Sequence, residues 1–223
     1  MDDSSLGGGD ELLRSISKSP GFEMLTDALD LSVDQFLESG VVRDVPVVGW
    51  VVKVAGIAIS IRDRMFAKKL VAFLAGTSTA SAEKIAAFLD DLAEPKRRER
   101  AGEILMLLIE RHERIEKSAI LGRLLAAQIE GRFDGERFLA LAAALDRTSI
   151  GELLLVRRAV TAGHLGTEEV IWAVARTGLV NVELIGAPVG PGIKTSYQVN
   201  SLGGDMVAFG LTGLADDADT GFP

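Results

Sequence analysis

The stretch VPVVGWVVKVAGIAISIRDR, Val45–Arg64, carries one charge, Lys53, in its first seventeen residues. Asp44 before Val45-Pro46 is a helix-start signature, a capping carboxylate with proline in the first turn. The pattern predicts a helix from there to about Ala75, with Gly76 as its stop. Written as a helix, the segment is apolar around most of its girth. Gly49, Lys53, Gly56 and Ser60 form one narrow small-or-polar stripe. The second half, IRDRMFAKKLVAFLAG, is amphipathic. Its apolar positions include Ile61, Met65, Phe66, Val71, Phe73 and Leu74, and Arg62, Arg64, Lys68 and Lys69 supply a basic cluster.

Elsewhere the periodicity is helical up to about residue 132. Ser32 with Gln35 opens a short helix ending at Gly40. Ser81 caps a helix carrying Ile85, Phe88, Leu89 and Leu92, closed by Pro95. KRRER opens the next, which runs through Leu105, Leu108, Ile120 and Leu124 to Gly131. Along it Glu110–Arg114 and Glu113–Lys117 are expected to pair one turn apart. Three shorter helices follow. Asp134 caps the first. Ser149 with Glu152 is a capping box for the second, 150–162. Thr167 caps the third, 168–177, ended by Gly178. Then LVNVELIGAPVGPGIKTSYQVNSLGG reads as a β-hairpin with a glycine-rich tip, and a short helix near 201–210 closes the pattern.

The expected fold is therefore mainly α. A disordered tail, 1–9, precedes a helical domain, 10–132, and a domain with one β-hairpin, 133–212. An acidic tail, 213–223, follows. The order of three helices, GLV (178–180), a strand, a loop, and Tyr197-Gln198-Val199-Asn200-Ser201-Leu202-Gly203 resembles a winged-helix domain over about residues 134–210. Some winged helices bind DNA, with the third helix reading and the hairpin on the backbone. The face here offers Arg176 and Lys194 against Glu168 and Glu169, and phosphate contacts dominate DNA affinity. Packing or protein contact is the favoured use, and nucleic acid is not the expected partner.

Composition narrows the function classes. The chain has 223 residues, 48% of them hydrophobic, and a net charge of −8. That length supports a sizeable core, and the charge gives no global attraction to nucleic acid or anionic lipid. There is no cysteine, which removes disulfides, thiol catalysis and thiolate zinc sites. The acidic, glycine-rich start is unlike a signal peptide, so the cytoplasm is the expected location. GAPVGPGIKTS lacks the glycine before its Lys-Thr and the helix after it that a phosphate loop needs. His112 and His164 are isolated, ERHERIEK reads as a solvated salt-bridged face, and no catalytic constellation is present. The expectation is a non-enzymatic protein without cofactor or metal.

The Val45–Ile61 stripe leaves three environments open. A soluble core helix is favoured, with the glycines admitting a neighbour and Lys53 snorkelling outward. In a membrane, seventeen residues sit at the lower edge of span length, and a central Lys53 costs about 2.5–3.5 kcal/mol. That reading makes Arg62, Arg64, Lys68 and Lys69 an interface to anionic lipid headgroups, with the protein peripheral to or inserted in the inner membrane. A strand hairpin is third. The segment Asp44–Leu74 also resembles a group of bacterial helical proteins sharing D-[IV]-P-V-V-G, I-R-D-R-x-F-x-K-K and a following F-L. That resemblance implies a role in phage defence or membrane stress, exerted through a protein partner, self-association or a membrane.

Overall fold

The computed structural model describes residues 8–18, 45–55, 60–162, 172, 174–186 and 193–214. The described chain is mainly helical with one antiparallel β-hairpin. It divides into two compact units, Met1–Gly135 and Glu136–Pro223.

The first unit contains α1 (Gly8–Ser17), α2 (Pro46–Ala55), α3 (Ile61–Thr77), α4 (Ala82–Asp91), α5 (Pro95–Arg111) and α6 (Ile115–Ile129). Its spine is the pair α3 and α6. Leu70, Val71, Phe73 and Leu74 of α3 and Ile120, Leu121 and Leu124 of α6 are fully buried. The two helices touch backbone to backbone at Gly76 and Gly122. A Cβ on Gly76 would lie 2.9 Å from the Arg123 nitrogen, and one on Gly122 would lie 3.0 Å from the Thr77 nitrogen and collide with the Phe73 carbonyl. A second pair repeats the device where α1 crosses α5. A Cβ on Gly9 would stand 2.8 Å from the Glu103 nitrogen, and one on Gly102 would strike the Gly9 carbonyl. Asp10 ties the same crossing by accepting from Arg14 and Arg98, each at 2.9 Å.

α1 also serves α2. Its Leu12, Leu13 and Ile16 are fully buried. Ser15 Oγ accepts from the Val47 amide at 3.0 Å, satisfying one of the donors a helix leaves open in its first turn. α1 begins inside the stretch 1–9 that composition reads as disordered, and Gly8 and Gly9 are buried.

The helix expected from Asp44 to Ala75 is two helices. Pro46 does open α2, and Asp44 lies outside the described residues. A new start follows at Ile61, because Ser60 and Asp63 form a reciprocal capping box. Ser60 Oγ accepts from the Asp63 amide, and the Asp63 carboxylate accepts from the Ser60 amide at 3.0 Å. Gly76 does not stop α3 but sits in its last turn. Pro95 opens α5 rather than closing α4. The long helix expected up to Gly131 breaks at His112–Arg114, where His112 (ψ 129°) and Arg114 (ψ 144°) are extended. The break prevents the Glu110–Arg114 pair. Glu110 instead meets Arg62, and Arg114 meets Glu116 at 2.9 Å. The Ser32–Gly40 helix signature lies outside the described residues.

The break also turns inward two residues of what the sequence reads as a solvated face, while Glu110, Arg111, Glu113 and Arg114 stay exposed. His112 is 1% exposed, with Nδ1 3.2 Å from Ser118 Oγ. Lys117 is equally buried and reaches Glu113 at 2.7 Å, the pair that was expected. Burial pushes the Glu113 carboxyl up, but the Lys117 hydrogen bond, a backbone hydrogen bond and the charges of Lys117 and His112 together outweigh it and hold the group below its ordinary value. The resulting stability is full above the unfolded value near 4.5 and is lost as pH falls through the lower folded value.

The second unit contains α7, which begins at Gly135 and runs to Arg147, and α8 (Ile150–Ala162). The Ser149–Glu152 capping box forms as expected, with the Ser149 amide donating to Glu152 at 2.7 Å. Most of the expected 168–177 helix lies outside the described residues, but Trp172, Val174 and Ala175 are helical. Strands β1 (Val180–Gly186) and β2 (Ile193–Val199) pair antiparallel, from Val180 opposite Val199 to Gly186 opposite Ile193. Asn200 closes the hairpin. Its side chain donates to the Gly178 carbonyl at 3.0 Å and accepts from the Gly203 amide at 3.0 Å, capping α9 (Ser201–Asp205). A π-helical turn, Met206–Gly210, follows. Arg137 binds Asp205 at 2.7 Å, joining α7 to α9. Arg157 donates to the Leu214 carbonyl at 2.6 Å.

Two stability measurements follow. Gly122→Ala should destabilise the chain by about 1–3 kcal/mol through forced overpacking. Gly49→Ala should stabilise it by about 0.5–1 kcal/mol, since Gly49 is an exposed helix position with open space around its α-carbon. Urea unfolding of both reads the contrast, and equal effects would contradict the packing. Separately, Glu113→Gln should lose roughly 1 kcal/mol at pH 7, a figure already reduced because Glu113 is 58% exposed. Unfolding followed from pH 7 to pH 3 should show the variant and the parent converging in acid.

Candidate interaction cleft

The structure separates the residues that the sequence places on one stripe. Gly49 and Lys53 are exposed on α2, Ser60 is the N-cap of α3, and Gly56 lies outside the described residues. A Cβ on Gly49 would meet nothing within 4 Å, so this glycine admits no close helix neighbour. The glycines that do so are Gly76 with Gly122 and Gly9 with Gly102. For Gly76 and Gly122 the available signal is a small residue inside an apolar run, AFLAGT and AILGRLL; the sequence reading takes Gly76 as a stop and does not single out Gly122.

The basic cluster divides as well. Lys68 is 5% exposed and Arg64 is half-buried, so neither stands in a flat cationic surface. Arg62 and Lys69, seven residues apart on α3, both turn to the end of α5. Arg62 pairs with the Glu110 carboxylate, and Lys69 Nζ donates to the Glu110 main-chain carbonyl at 3.1 Å. That carbonyl belongs to the last turn of α5, where a cation is favoured by the helix dipole. Arg176 of the second unit is exposed, and the side chain of Lys194, on β2, is outside the described residues.

These contacts frame an open cleft of about 620 Å³. α2 contributes Trp50, α3 contributes Arg62, Asp63, Met65, Phe66 and Lys69, and α5 contributes Met106, Leu107, Glu110 and Arg111. Gly8 backs the Trp50 ring, since a Cβ there would lie 2.6–2.9 Å from the indole. The floor is aromatic and methionine-rich, the composition of surfaces that adapt to apolar partners. On α5 the solvent side extends it. Ile104 is 39% exposed and Leu107 59%, and exposed Arg111 falls one turn further along.

The charges of the cleft have different commitments. Asp63 accepts from Ser60, which holds its carboxyl below the ordinary value, and Glu110 accepts from Arg62. Partial burial lowers the Lys69 ammonium, partly offset by Glu110 and Glu113. Its hydrogen bond goes to a neutral carbonyl, which leaves donor capacity on an ammonium beside apolar surface.

The sequence reading named Met65 and Phe66 only as apolar surface and missed Trp50, Met106, Leu107, Glu110 and Arg111 as a group. The available signal was Ile104, Leu107 and Arg111 at helical spacing on one face of α5.

Among the described residues no group of three or more His, Asp or Glu side chains is placed to hold a metal ion. Among them, too, no helix is long and apolar enough to cross a membrane. No protein-family model, curated protein or solved structure matches the chain.

Proposed function

We propose that this chain is a non-catalytic interaction protein that works by docking another polypeptide in the cleft between α2, α3 and α5. The observation that carries this reading is the open apolar floor of Trp50, Met65, Phe66, Met106 and Leu107, with Leu107 59% exposed. Large side chains in such a patch are retained at a cost in solubility, and contiguous patches of this kind mark binding surfaces. The flanking ions give orientation, as polar rims do at protein interfaces.

A photo-crosslinking residue at position 107, in the cells the protein comes from, tests this. Polypeptide adducts should form there, fall at least fivefold with Lys69→Glu, and be absent when the crosslinker replaces exposed Ala86 of α4. The same adducts from both positions would refute docking at the cleft.

A second reading rests on the resemblance of residues 134–210 to a winged helix, of which α7, α8 and the hairpin are described, and on exposed Arg176, and makes the protein a DNA-binding regulator. It requires duplex binding that weakens with salt and on Arg176→Ala. Absence of any complex with mixed-sequence duplex at low salt removes it.

A further inference from the structure

The outward side of α5 carries a row of residues that the cleft alone does not account for. Arg97, Arg100, Ile104, Leu107 and Arg111, spaced 3, 4, 3 and 4, are all exposed. That is the heptad spacing of a seam along which one helix packs against another. Here two large apolar residues stand between arginines, and no acid falls on the seam. Glu99, Glu103 and Glu110 lie about 80–120° round the helix from its middle, and the Glu110 carboxylate is engaged by Arg62. In a chain with 24 Lys and Arg residues against 32 Asp and Glu residues, this row opposes the overall charge. Helix stability does not explain it. The first turn of α5 holds Lys96, Arg97 and Arg98 and no acid, although the helix dipole favours acids there. Asp10 accounts for Arg98, while Arg97 and Arg100 stand on the seam.

We infer that the polypeptide docked at the cleft is an acidic helix, which lies along this seam, covers Ile104 and Leu107 with apolar side chains, and sets carboxylates against Arg97, Arg100 and Arg111. This deepens the docking function and rests on it. Leu107 and Arg111 belong both to the seam and to the lining of the cleft, so such a helix runs along the cleft's mouth. Its inner side then meets Met65, Phe66 and Met106, the helix-in-groove mode in which spaced anchors supply affinity. Arginine suits the flanking positions, because its planar fork binds a carboxylate through two parallel hydrogen bonds. An anionic bilayer is the poorer match. A flat surface does not fill a cleft, and the net charge of −8 opposes its approach.

Fluorescence anisotropy on the full chain tests the inference with three designed helical peptides of about 20 residues. All share a heptad seam with leucine at its centre, and they differ in the residues flanking it, which are glutamate, glutamine or lysine. The glutamate peptide should bind at least tenfold more tightly than either of the others. Its affinity should fall at least tenfold between about 0.05 M and about 0.5 M salt, as screening requires. Arg97→Glu/Arg100→Glu alters two residues outside the lining of the cleft. It should weaken the glutamate peptide at least tenfold and prefer the lysine peptide instead. Circular dichroism should show parental helicity, since an acid at position 97 suits the first turn of a helix. Lys84→Glu, at an exposed position of α4, should leave all three affinities unchanged.

A glutamate peptide that does not bind, binds no better than the others, or is indifferent to Arg97→Glu/Arg100→Glu overturns the inference. So does flotation of the chain with phosphatidylglycerol vesicles that the same variant abolishes, which assigns the seam to lipid. The docking function fails separately. Adducts at position 107 that fall with Lys69→Glu but not with Arg97→Glu/Arg100→Glu sink the acidic helix and keep the cleft. Adducts at 107 no different from those at 86 sink both.

Discussion

The contact between Gly76 and Gly122 is the constraint on which the first unit depends. It brings two backbones together where any side chain would separate them. Once α3 and α6 meet there, the α3 face bearing Leu70, Val71, Phe73 and Leu74 is committed to the core. The opposite end of α3, seven to fourteen residues earlier, is then left to carry Arg62, Asp63, Met65, Phe66 and Lys69 into the cleft. The extended turn His112–Arg114, anchored by buried His112, fixes where α5 stops, and so where the Glu110 carboxylate and carbonyl stand to meet Arg62 and Lys69. The cleft is a consequence of one close crossing and one helix break.

The same logic explains the second glycine pair among the described residues of the first unit. α1 is only ten residues long and is joined to α2 through a long stretch, so it brings little local helix stability. It is held by what it touches. Gly9 and Gly102 allow contact over the backbone, Asp10 adds two charge-assisted bonds, and Ser15 supplies the acceptor for the first turn of α2. Through Gly8 and Trp50 this short helix also sets one wall of the cleft.

What the sequence made legible followed local rules. Ser149 with Glu152, the antiparallel strands around 180–199 and the mainly α composition rest on interactions within a few residues, and periodicity or capping signatures report those directly. What it hid was set by distant chain. Gly76 was read as a stop because glycine commonly ends helices, and only Gly122, far along the sequence, shows its purpose. Ser60 was read as one member of a stripe, although Asp63 three residues on made it equally a cap. The capping interaction determined the structure, since it satisfies first-turn donors and starts a new helix. ERHERIEK looked solvated because its charges matched in helical register. The register was broken, and with it His112 and Lys117 were free to turn inward.

Charge placement separates this cleft from a generic sticky surface. The chain carries net charge −8, which disfavours close approach of two copies over most of the surface. Against that background, Lys69 is held at the junction of apolar floor and helix end, partly desolvated and hydrogen-bonded to a neutral carbonyl. A carboxylate arriving there gains from the lowered local dielectric more than it would at an exposed lysine. An apolar ligand without an acid buries the ammonium further with only the partial offset of Glu110 and Glu113, which is unfavourable. Docking at the cleft would therefore be selective by what the site penalises as much as by what it attracts. Repulsion over the rest of the surface works in the same direction, because it disfavours associations that bring no compensating contact.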